Sequence, residues 1–139
     1  GTDQLDALDL SKFSNSQVSG LTTTSITSLT DTQVGSLTAT QVPAFSAAQI
    51  GALTTTELGN LNTDQAGALT STQIAGLTTT YFSALSATTG IPSLSTDAIA
   101  GISTEDIHAL TATQGNAFAQ TQIDAMTLAQ TQALIEVVT

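Results

Sequence analysis

The chain has 139 residues, a single basic residue (Lys12) against eleven acids, a formal net charge of −10, no cysteine and 4% aromatics. That balance excludes nucleic-acid binding, which needs clustered Lys and Arg at phosphates, and docking on anionic lipid surfaces. It also excludes disulfides and thiolate metal centres, and no apolar run reaches the length of a membrane span. The 40% hydrophobic content is mostly Leu, Ile, Val and Ala; it suffices for the core of one domain and separates the chain from disordered acidic tails.

Taken from the start, Gly1-Thr2-Asp3 does not read as a signal peptide. Asp3, Asp6, Asp9 and Lys12 gather much of the charge, so residues 1–12 are expected to form a polar N-terminal cap. A large apolar anchor then recurs every eight residues: Leu5, Phe13, Leu21, Leu29, Leu37, Phe45, Leu53, Leu61, Leu69, Leu77 and Leu85. After one extra residue, within 86–94 and around Gly90-Ile91-Pro92, the register resumes at Leu94, Ile102, Leu110, Phe118, Met126 and Leu134. Residues 1–139 are thus one repeat domain of about seventeen units with one register slip.

The unit reads L-[ST]-x-x-Q-[IV]-x-[AG]. Ser or Thr follows the anchor in 13 of 17 units, and Gln or Glu stands at the fourth position after it in ten. Ser/Thr followed three residues later by Gln/Glu is a capping box, and the flanking apolar pair is a hydrophobic staple. Leu53-Thr54-Thr55-Thr56-Glu57-Leu58 shows both together. Every unit therefore carries a helix start, and the small residue before the next anchor ends it. One long helix does not fit, because Thr is a poor helix former and a strict period of eight requires about 4.0 residues per turn, not 3.6. A β-solenoid is the stronger alternative, since Thr, Ile and Val favour strands. Strand alternation fails, however, whereas a spacing of three between apolar positions suits a helix face. The expected fold is all-α, a solenoid of short capped helices stabilised by stacking.

Further along, Asp31, Glu57, Asp64, Asp97, Glu105 and Asp106 fall in predicted first turns, where they complement the helix dipole. Glu105-Asp106 is the one adjacent acidic pair and the sole candidate for a weak calcium contact; no calcium-loop motif accompanies it. Tyr81-Phe82 replaces the Gln-Ile pair of its unit, either filling space beside the slip or offering an aromatic contact to a partner. His108, the single histidine, reads as an exposed variable residue; nothing beside it forms a nucleophile–base pair. The expected protein is non-enzymatic and takes no cofactor or metal. Four of the last six residues are apolar (Leu134, Ile135, Val137, Val138). The repeat end thus reads as open, with Ile135, Val137 and Val138 candidates for self-association with a second copy or with neighbouring repeats of a longer chain.

The unit resembles the L-T-x-x-Q-[IV]-x-A octad repeats of large secreted or surface-attached bacterial proteins, adhesin-like in kind. That resemblance covers almost the whole chain and implies an extracellular or cell-surface stalk segment or self-assembling filament subunit. Two other functions compete. T-x-T triplets (Thr22-Thr24, Thr38-Thr40, Thr54-Thr56, Thr78-Thr80) suggest binding to ice or another regular surface. A concave solenoid face would suit a peptide-binding scaffold.

Overall fold

Each unit folds because its cap residue is held extended while the next residues enter the helical region. The computed structural model describes residues 8–139, so Asp3 and Asp6 of the expected N-terminal cap lie outside the described residues. Among the described residues thirteen short helices follow one another: α1 (Asn15–Ser19), α2 (Thr23–Ile26), α3 (Asp31–Gly35), α4 (Ala47–Ile50), α5 (Thr55–Gly59), α6 (Thr63–Gly67), α7 (Ser71–Ala75), α8 (Thr79–Phe82), α9 (Thr96–Ile99), α10 (Thr104–His108), α11 (Ala112–Gly115), α12 (Gln120–Asp124) and α13 (Leu128–Val138). Single 3-10 turns stand at Leu10–Lys12, Val42–Ala44 and Ile91–Ser93. No strand occurs among the described residues. The chain is an all-α repeat solenoid, and the β-solenoid is set aside.

The caps work as the octad predicts. Thr54 sits at φ −74°, ψ 160°; its Oγ1 accepts the Glu57 N–H at 3.1 Å, and Glu57 Oε2 accepts the Thr54 N–H at 2.7 Å. Thr70 and Gln73 repeat this at 3.2 and 2.9 Å. Every corner is turned with negative φ among the described residues. The chain bends by alternating an extended cap with a right-handed helical turn, so no left-handed glycine is needed.

Proline and the slip change units locally. Pro43 and Pro92 each lie inside a 3-10 turn, because a residue without N–H cannot make the α-helical bond. The extra residue is absorbed between Ser86 and Gly90: the N–H groups of both Gly90 and Ile91 donate to Ser86 O, at 3.1 and 2.8 Å. Ser86 Oγ accepts from the Thr88 and Thr89 N–H groups, closing the wider loop. A Cβ on Gly90 would stand 2.7 Å from Ser86 N, so only glycine fits that turn. Beyond it Ile91 and Leu94 are buried in the regular pattern.

The core runs the length of the solenoid. Fifth-position residues (Val18, Ile26, Leu58, Ile74, Ile99, Ile107) are fully buried, and the anchors from Leu29 to Phe118 pack beside them. Full burial of such a side chain is worth about 1.5–3 kcal/mol, which offsets the cost of nucleating helices too short to stand alone. The last helix departs from the rule. Where an anchor is normally followed by Ser or Thr, or, as at Ala119, by a residue whose N–H is taken by a fourth-position Gln at 2.7 Å, Leu134 is followed by Ile135 and has Val138 at the fourth position, so neither half of a capping box is present. The helix therefore runs on, and α13 spans 11 residues and packs back over α10 and α11.

Candidate functional site: the glutamine ladder between coils

The fourth-position glutamine does two things at once. Its Oε1 accepts the N–H of its own cap residue, which fixes the amide plane and points Nε2 away from the unit. That Nε2 then donates to two backbone carbonyls far back in the chain. Gln41 reaches Leu10 O at 2.7 Å and Phe13 O at 2.8 Å. Gln73 reaches Val42 O and Phe45 O, both at 2.8 Å. Gln122 reaches Ile91 O and Leu94 O, and Gln130 reaches Ile99 O and Ile102 O, all at 2.8 Å. Gln49 and Gln65 do the same to Val18/Leu21 and Val34/Leu37.

The acceptors lie 31 and 28 residues before each of these glutamines. They belong to the fifth position four units earlier and to the anchor that follows it. One solenoid coil is therefore four units, and the ladder joins each coil to the one before. Across the slip, Gln114 reaches Ser83 O and Leu85 O at 2.7 and 2.8 Å, so the stacking continues past the inserted residue. Most of these amides are buried, where an unpaired N–H would cost about 1–3 kcal/mol; here none is left unpaired among the described residues.

Capping alone does not explain the choice of residue. Glu serves a capping box as well as Gln, and an N-terminal turn favours its charge. Yet nine of the ten positions hold Gln and one holds Glu57. That imbalance was the available signal for a second, donating role, and octad reasoning passed over it.

The other sites singled out from sequence fall apart spatially. Phe82 is fully buried in the core and Tyr81 half-buried against it. Phe82 is thus a packing residue and offers no partner contact. Val137 and Val138 are half-buried, packed on α11 around Gly115, and Ile135 alone of the proposed association set is exposed, at 53%. The C-terminal apolar run is therefore turned largely inward, because the unbroken helix carries its valines back over the preceding coil. The acidic pair is also divided. Asp106 is buried and accepts the Ser103 N–H at 3.0 Å in a capping box, while Glu105 is exposed. No group of three or more metal-ligating side chains occurs among the described residues. His108 Nε2 meets Glu136 Oε2 at 2.9 Å, beside a shallow depression of about 220 Å³. At the N-terminal end, hydrogen bonds from the Ser11 hydroxyl and N–H, with Lys12 nearby, hold the Asp9 carboxyl below its ordinary value.

The ALTTAQ repeat family matches residues 42–79. The chain is a repeat protein. No curated protein and no solved structure matches it. No helix among the described residues is long and apolar enough to cross a membrane.

Proposed function

We propose that this chain is a non-enzymatic structural or adhesive element of a bacterial surface or secreted protein, working as a stalk segment or filament subunit. The observation that carries the reading is the glutamine ladder. It ties each coil to the last by repeated local bonds, so stability sums along the stack and length is gained by adding units. Such a stack suits spanning a distance better than enclosing a reactant. Outward positions carry short hydroxyl side chains and very little positive charge, which suits a hydrated exterior.

Binding to a regular surface through the T-x-T triplets gains less support. The first hydroxyl of each triplet is engaged as a helix cap: Thr22, Thr54 and Thr78 accept the N–H groups of Ser25, Glu57 and Tyr81. With four units per coil, the triplets at Thr22-Thr24 and Thr54-Thr56 share a wall, while those at Thr38-Thr40 and Thr78-Thr80 fall on others. They do not make one flat array.

The test is location. Antibody raised to the chain is applied to intact and to lysed producing cells and to their medium. Labelling of intact cells or recovery from the medium is expected. Signal confined to lysed cells overturns the extracellular reading.

A further inference from the structure

One rung in the middle of the ladder has lost its donor. Glu57, on α5, stands at the fourth position between the units of Gln49 and Gln65. Its Oε2 accepts the Thr54 N–H at 2.7 Å, just as each neighbouring glutamine Oε1 accepts the N–H of its own cap. The other carboxylate oxygen, Oε1, therefore takes the place of a donating Nε2. The residue is 5% exposed, and Oε1 has no hydrogen-bond partner. No fully occluded side-chain oxygen or nitrogen goes unpaired among the described residues, so Oε1 keeps a narrow opening to solvent.

The carbonyls that this position serves also lack their donor. Counting 31 and 28 residues back, as for Gln65 with Val34 and Leu37, gives Ile26 O and Leu29 O. Ile26 O takes only the Leu29 N–H, at 3.1 Å, and Leu29 O takes no hydrogen bond. In the rungs on either side, one Nε2 reaches both carbonyls of such a pair, so the two oxygens converge on a point. At Glu57 that point holds a carboxylate oxygen. Three acceptors thus meet with no hydrogen among them. The chain offers no cation in return: its sole basic side chain, Lys12, is exposed and lies 3.8 Å from Asp9. Buried charges are normally paired or bound to a metal ion.

We propose that Glu57 Oε1, Ile26 O and Leu29 O hold a hard divalent cation, Ca2+ in kind, between the coils that carry α2 and α5. The donor set is all oxygen with a single negative charge. It suits Ca2+ and not the softer metals that select imidazole or thiolate. Ca2+ takes carboxylate and backbone carbonyl oxygens at irregular angles and completes its shell with water, which the opening at Oε1 admits. Mg2+ demands near-octahedral geometry and sheds water reluctantly, so it fits less well. The net charge of −10 raises the cation concentration around the chain. With one carboxylate the site belongs to the weak class, with a Kd of about 1 mM. The ion does for this rung what Nε2 does for the others: it brings positive charge to two carbonyls of the preceding coil.

The test is the thermal midpoint by circular dichroism. The chelator-treated full chain is titrated with CaCl2 at constant ionic strength, beside Glu57→Gln and Asp64→Asn. With a Kd of about 1 mM, Ca2+ at about 10 mM favours the folded state about elevenfold and raises the wild-type midpoint by about 4 °C. Glu57→Gln fills the rung with its own N–H groups, so it is expected to start higher and not to respond. Asp64→Asn removes an exposed acid from the next unit and is expected to keep the full rise, which separates the site from general screening of surface charge. Equal rises in wild type and Glu57→Gln overturn the inference. So does a wild-type midpoint that Ca2+ leaves unchanged, or a rise that MgCl2 matches at the same ionic strength. A midpoint that rises on mild acidification without metal, while Ca2+ does nothing, assigns the rung to a carboxyl proton and overturns the cation.

Discussion

Replacing Gln73 by Glu separates the two roles of the fourth position. The cap half survives, since a carboxylate oxygen accepts the Thr70 N–H, and the charge at a helix start contributes about 0.3–1 kcal/mol in its favour. The ladder half is lost. Two bonds of 2.8 Å, to Val42 O and Phe45 O, contribute about 0.5–1.5 kcal/mol each, and a buried carbonyl left without a donor costs about 1–3 kcal/mol more. The net loss is about 2–4 kcal/mol. At about 3 °C per kcal/mol for a chain of this size, the thermal midpoint read by circular dichroism falls by about 6–12 °C. Local capping by itself gives the opposite sign, a neutral or slightly raised midpoint. A Gln73→Glu protein as stable as wild type therefore refutes the claim that the ladder holds the coils together. Glu57 provides the mirror experiment. It is buried at 5% exposure in a ladder position, and a carboxylate has no N–H for Ile26 O and Leu29 O. Glu57→Gln is expected to add about 1–3 kcal/mol of stability from two new neutral bonds, and so to raise the midpoint.

Four further outcomes are expected. Thr54→Val removes the oxygen that accepts the Glu57 N–H and should lower the unfolding free energy by about 1 kcal/mol, measured in urea; a gain instead would refute its capping role. Gly101→Ala drives a methyl into the Ser71 backbone of the adjacent coil and should cost about 2 kcal/mol or more, as overpacking does. Gly35→Ala faces open space and should stabilise by about 0.5–1 kcal/mol; equal effects at the two sites would contradict the close approach of coils. Asp9 should titrate below an ordinary aspartate by carboxyl NMR and return toward it in Ser11→Ala, since the Ser11 bonds are the main cause of the shift. Because the folded-state value is lowered, its contribution to stability is present above the unfolded value and is lost as pH falls through the folded one.

Local structure was legible in the sequence because its causes lie within one unit. Leu69-Thr70-Ser71-Thr72-Gln73-Ile74 contains a cap, its reciprocal acceptor and a staple. Those interactions span at most five residues, so the start of a helix there needs no tertiary information. The same holds for the first-turn acids, each placed at a helix start. The octad reading expects a helix start in the last unit as in the others; α13 runs through it because Ile135 and Val138 stand where both halves of a capping box belong.

What only the tertiary structure decided is how many units close a coil. The octad repeats identically whether three, four or five units make a turn; the choice depends on small corner angles summed around the coil and on which carbonyls then fall within reach of each amide. Gln73 meeting Phe45 and Val42, 28 and 31 residues away, fixes the number at four. That packing also sent Phe82 inward and folded Val137 and Val138 onto Gly115. A sequence period specifies the bonds inside a unit; the partners of a side chain that points out of its unit depend on what the stacking brings opposite it.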